Sequence, residues 1–158
     1  MPTTDELAAQ LADLRAVTPT LEELLFSDTI VSWNGSTTIT GNTRFTLLVA
    51  PIPLRILSVA ISSEYQTVPA SDTAYWTCAL EHGTEAGGFP DLAVRSTQNT
   101  GANANGALAK RTPWTFDAAT WVSQDVAAGE LLTVNWIPTG AVAALQFPQT
   151  YTVRYRPL

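Results

Sequence analysis

The run Thr43-Arg44-Phe45-Thr46-Leu47-Leu48-Val49-Ala50, then Pro51-Ile52-Pro53, then Leu54-Arg55-Ile56-Leu57-Ser58-Val59-Ala60-Ile61, decides the fold. Phe45, Leu47 and Val49 alternate with Arg44, Thr46 and Leu48, and Leu57, Val59 and Ile61 share one face of the next run. A period of two sends successive side chains to opposite faces, so both runs read as strands with one face toward a core. The prolines between them cannot continue a ladder and mark a turn.

Working outward, residues 29–33 and 36–40 flank Asn34-Gly35, a pair that tolerates the positive φ angles of a tight hairpin. Residues 75–80 place Trp76, Cys78 and Leu80 together, 131–137 do the same for Leu132, Val134 and Trp136, and 151–156 for Tyr151, Val153 and Tyr155. Residues 92–96 supply a further strand. With about eight strands, this predicts an antiparallel β-sandwich, jelly-roll-like; an immunoglobulin-like sandwich is the alternative, without its paired cysteines. The Asn-, Gly- and Ala-rich stretch 98–113 reads as an exposed excursion, mobile or ordered by a neighbour.

The first 28 residues follow a different rhythm. Thr3 and Glu6 are spaced as a capping box, and Leu7, Leu11 and Leu14 recur at helical intervals that continue through Thr18, Leu21 and Leu25. Pro19 interrupts one continuous helix, so two short ones are expected, the second carrying Leu21, Leu24 and Leu25. The chain then divides into a short N-terminal helical leader, 1–28, for oligomerisation or docking, and a mainly β domain, 29–158. A helix this short needs its leucines buried, against its own β-domain, copies of itself or a larger assembly; a homotrimer is the reading taken here.

Charge supports that division. The chain of 158 residues has a net charge of −6, and residues 1–28 hold six carboxylates against Arg15 alone. Charged residues are only 14% of the chain and apolar ones 46%, which argues for a folded domain with part of its surface covered by other subunits. Only Lys110 and Arg111 are adjacent cations, so no nucleic-acid partner is expected. The acidic start predicts neither a signal peptide nor a membrane span. Cys78, the single cysteine, lies in an apolar strand pattern and reads as a buried hydrophobe.

The inventory for chemistry is thin, and no enzyme is expected, nor any cofactor or metal. His82 is the single histidine and reads as an exposed turn residue beside Gly83; no G-x-S-x-G elbow is present. Glu81, Glu85 and Asp91 surround Gly87-Gly88 but match no calcium-loop spacing, so a solvated acidic turn is the plainer reading. Asn34-Gly35-Ser36 matches a glycosylation acceptor and equally a hairpin turn. Trp33, Trp114 and Trp121 lie near strand ends or loops, where an aromatic face rims a core, fills an interface or stacks on a host-surface glycan.

Residues 57–61 (Leu-Ser-Val-Ala-Ile), 68–77 (Val-Pro-Ala-Ser-Asp-Thr-Ala-Tyr-Trp-Thr) and 151–155 (Tyr-Thr-Val-Arg-Tyr) together resemble β-sandwich proteins of tailed-bacteriophage virions. The resemblance covers about half of the β-domain. It implies a virion structural protein, a capsid decoration, head-fibre or tail-fibre-tip subunit made and assembled in the bacterial host cytoplasm. A homotrimer docked to a major capsid or other virion protein would follow, with a receptor- or carbohydrate-binding tail-fibre module as the alternative.

Overall fold

The structure is a computed structural model that describes residues 27–33, 38–117, 121, 123–146 and 149–158. Strands β1 (Ser27–Trp33), β2 (Thr38–Ile39), β3 (Thr43–Val49), β4 (Leu54–Ser63), β5 (Tyr75–Gly83) and β6 (Asp91–Ser96) come first. They are followed by β7 (Trp114–Asp117), β8 (Asp125–Val126), β9 (Leu131–Thr139), β10 (Leu145–Gln146) and β11 (Gln149–Pro157). One sheet runs β1-β11-β4-β7, with β8 beside β4; the second runs β3-β9-β5-β6, and β2 pairs β10. All these pairings are antiparallel. The chain passes repeatedly between the five-stranded and the four-stranded sheet, while β5 and β6 remain neighbours. This is the strand order of a double Greek key.

The fold class expected from the sequence therefore needs correction. The described residues form antiparallel sheets and contain no helix, so the class is mainly β and a helical leader has no support among them. Strand pairing also reaches into the segment assigned to that leader: Ser27 pairs with Tyr155 and Asp28 with Arg154. The leader leucines Leu7, Leu11, Leu14, Leu21, Leu24 and Leu25 lie outside the described residues.

The Asn34-Gly35 hairpin is corrected as well. Residues 34–37 lie outside the described set, but β1 pairs with β11 along all seven of its residues, and Ile39 of β2 pairs with Leu145. A long ladder to a distant strand outweighs the preference of a two-residue turn.

Between the sheets lies a single apolar core. Leu54, Ile56, Val59 and Ile61 of β4, Tyr151 and Val153 of β11, and Trp114 and Phe116 of β7 face Trp76, Cys78 and Leu80 of β5 and Leu132, Val134 and Trp136 of β9. Trp76 meets Trp136 edge-on with ring centroids 6.5 Å apart. The indole N–H of Trp136 donates to Tyr151 Oη across the core at 3.0 Å, and Tyr151 donates to Gln149 Oε1, also at 3.0 Å. Burial pushes the Tyr151 phenol and the Cys78 thiol well up from their ordinary pKa values.

Two β-bulges break the expected alternation. Arg154 pairs with Ser58 but Tyr155 with Ile56, so Leu57 is an extra residue and Ile56 takes the core position. On β3, Thr46 pairs with Thr133 but Leu48 with Leu132; beyond this slip Val49 is turned out and 55% exposed.

Candidate functional site

β6 and β7 are edge strands of opposite sheets, and the sandwich opens between them. Leu92, Ala93, Val94 and Arg95 of β6, Phe116 of β7, Trp121 and Asn103 line a cavity of about 310 Å³ there. Leu92 and Phe116 are buried in its floor, and the Arg95 guanidinium stands 6.0 Å from the centroid of the Phe116 ring. Arg95 forms no hydrogen bond or ion pair with a described residue. Trp121 is 8% exposed, and its indole N–H is buried without an acceptor. Among the described lining residues Arg95 carries the only formal charge.

The wall that includes Asn103 is held by its own chain. Asp72 Oδ1 accepts the backbone N–H groups of Asn99 and Thr100, both at 2.9 Å. The Thr100 N–H first, and that of Asn99 with it, hold the Asp72 carboxyl below its ordinary pKa against an opposing effect of burial. Ser71 Oγ accepts from the backbone of Ala74, Ser71 N donates to Thr97 O, and Ser96 Oγ donates to Asn103 O. Leu108, fully buried, exchanges backbone hydrogen bonds with Val68. The stretch 98–113, expected to be mobile or dependent on a neighbour, is thus tethered within the protomer at Asp72, Val68 and Ser63.

The tryptophans are distributed differently from one another. Trp114 belongs to β7, is 5% exposed, and donates its indole N–H to Ala107 O at 3.4 Å; Trp121 joins the cavity. Trp33 ends β1 beside Gln149, and its side chain lies outside the described residues. Arg95, Phe116 and Asn103 were not singled out from the sequence. The available signal was Arg95, a lone cation following Leu92-Ala93-Val94 in an apolar strand.

The residues weighed for chemistry are occupied elsewhere. Glu81 is buried on the outer face of the second sheet, where it accepts from Arg44 Nε at 2.6 Å, Asn135 Nδ2 at 3.1 Å and Thr133 Oγ1 at 3.2 Å. Arg44 also covers the Phe89 ring, 4.6 Å from its centroid. This overturns the solvated acidic turn for Glu81: its carboxylate is an acceptor for three side chains. His82, expected in an exposed turn, lies in β5 and is half-buried, with Nδ1 3.2 Å from Glu130 Oε2. Among the described residues, no group of three His, Cys, Asp or Glu side chains is placed to hold a metal ion.

The fold and cavity define a two-sheet antiparallel β domain of double Greek-key order with a cleft between edge strands that Arg95 lines. No family model and no curated protein matches the chain. Among solved structures it is similar to a chain in the structure of infectious bursal disease virus Gx strain, at 11% identity and a TM-score of 0.31. The match covers 82% of this chain and 31% of that one.

Proposed function

We propose that the protein is a non-enzymatic structural subunit of a virion of the tailed-bacteriophage type, a homotrimeric capsid decoration or head-fibre component assembled in the host cytoplasm. One observation carries this reading: an uncovered apolar end of the sandwich. Ile52, in the turn between β3 and β4, is 48% exposed, and Leu158 is 60% exposed. They belong to one end because Leu158 N donates to Pro53 O at 3.1 Å and Pro157 pairs with Leu54. Ala127 and Ala128, whose turn binds Ala50 through Gly129 N, add exposed apolar surface there.

The chain enters β1 at this same end, since Ser27 pairs with Tyr155. The leucine-bearing sequence 1–26 is thus joined to the domain where its apolar surface is uncovered, and copies meeting there would cover both. Burying half-exposed side chains of this kind is worth about 1 kcal/mol each, multiplied over three subunits. A double Greek key serves capsid and lectin domains alike, so the apolar end, rather than the fold, favours assembly.

Light scattering on the purified chain at micromolar concentration tests the proposal. A trimer is expected, with Ile52→Asp combined with Leu158→Asp shifting it to monomer at an unchanged circular dichroism spectrum. A wild-type chain that stays monomeric would overturn it.

A further inference from the structure

We infer that the end of the sandwich opposite the apolar one is a contact surface for an acidic polysaccharide, held by Lys110 and Arg111 together with the exposed ring of Tyr65. This inference does not depend on the assembly reading. β4 carries the chain from Leu54 at the apolar end to Ser63, ten residues along and roughly 30 Å away. There Arg111 N donates to Ser63 O at 2.8 Å and Lys110 N to Thr67 Oγ1 at 3.0 Å, so the two cations are fastened against the segment that carries Tyr65. Of the four large apolar side chains left exposed among the described residues, Val49, Ile52 and Leu158 lie at the apolar end. Tyr65, 60% exposed, lies here alone.

The backbone singles out Arg111. Its φ of 60° lies in the left-handed region, which disfavours a side chain and suits glycine. Thr112 N donates to Ala109 O at 3.1 Å and closes the turn around it. A strained position that folding alone would give to glycine, occupied instead by an arginine whose side chain is 74% exposed, points to use of that side chain. Its described ion-pair partner is Glu64, with Nε 3.9 Å from Oε2, a spacing at which an exposed pair holds weakly and gives way to a closer carboxylate. The planar guanidinium takes a carboxylate through two parallel N–H groups, and Lys110, exposed next to it, adds a second charge.

The sugar part of the partner follows from what surrounds the cations. A protein partner needs a contiguous apolar core to its interface, which one ring does not provide. An exposed tyrosine offers its face to the C–H side of a pyranose, and the exposed Thr67 and Thr112 offer hydroxyls to those of the sugar. A recess of about 70 Å³, lined in part by Gln66, Thr67, Pro69 and Val142, opens beside the same segment and leaves room for a small ring substituent. Copies displaying this end together would hold a repeating polymer more tightly than one copy does.

The test is titration of the full chain with hyaluronate oligosaccharides, dextran oligosaccharides and polyglutamate, followed by nitrogen-15 NMR of the backbone amides and the arginine Nε–H groups. Hyaluronate is expected to shift residues 64–67 and 109–112 and the Arg111 Nε–H saturably at millimolar concentration. Dextran, lacking charge, and polyglutamate, lacking a sugar ring, should each bind about tenfold more weakly. Arg111→Gly relieves the backbone while removing the charge, so it should keep the melting temperature and weaken hyaluronate binding about tenfold. Tyr65→Ala should weaken it about fivefold.

The inference is overturned by an absent or unsaturable hyaluronate response, by shifts that fall elsewhere on the domain, by polyglutamate binding as well as hyaluronate, or by an Arg111→Gly variant that binds undiminished. Should Arg111→Gly fail to fold, Lys110→Gln and Tyr65→Ala decide in its place. The variant with both Ile52→Asp and Leu158→Asp should keep the same affinity per subunit for a short oligosaccharide. A protein that is monomeric and binds hyaluronate would therefore refute the assembly reading alone.

Discussion

Glu81 shows how much one buried side chain organises. Its carboxylate takes donors from β3 and from two positions of β9, so Glu81→Gln would turn an amide N–H₂ toward groups that also donate. Arg44 is 43% exposed and regains water, which limits the loss, and we expect destabilisation of about 1–3 kcal/mol in urea unfolding. Cys78 is fully buried, and burial first, then the Glu81 charge, raises its thiol pKa. It should resist a thiol reagent in native protein and react promptly in denaturant, measured by absorbance. At Gly140 the backbone has φ of 71° and a Cβ would collide with the Thr73 carbonyl. Gly140→Ala should lower the melting temperature through about 1–3 kcal/mol of strain and displacement. Cys78 was legible as a core residue because its neighbours alternate. The partners of Glu81 were not, because Arg44, Thr133 and Asn135 come from strands far away in sequence.

At the level of elements, Asp72 joins the turn before β5 to the stretch after β6. Its carboxyl pKa is lowered, chiefly by the Thr100 N–H, so ionised Asp72 contributes stability above the ordinary value of 3.8 that is lost as pH falls through the lower folded value. Asp72→Asn should therefore speed amide exchange at Asn99 and Thr100 near neutral pH, and the difference from wild type should vanish in acid. The strands themselves were readable where pairing is regular: Trp76, Cys78 and Leu80, like Leu132, Val134 and Trp136, occupy the core as their period of two implies. It misleads on β3 and β4, because one inserted residue in a ladder reverses every later side chain and leaves no mark in composition. The short strands β7, β8 and β10 were missed, since two to four residues carry too little pattern to separate from loop.

Across the whole molecule, the two sheets are joined by the Trp136–Tyr151–Gln149 chain as well as by packing. Tyr151→Phe would strip an acceptor from Trp136 and a donor from Gln149, lowering stability by about 1–3 kcal/mol. Both sheets should still unfold in one step, seen as coincident fluorescence and circular dichroism transitions. The cleft at Arg95 was hidden from the sequence for a related reason: β6, β7, Trp121 and Asn103 converge only once the sandwich has closed. The place of β11 in its sheet has an outcome for biosynthesis. Because this strand lies between β1 and β4, β1 cannot join the sheet until β11, far later in sequence, has been made. β1 stays unpaired in the meantime, and chains terminated before β11 would expose unpaired edges to quality-control chaperones.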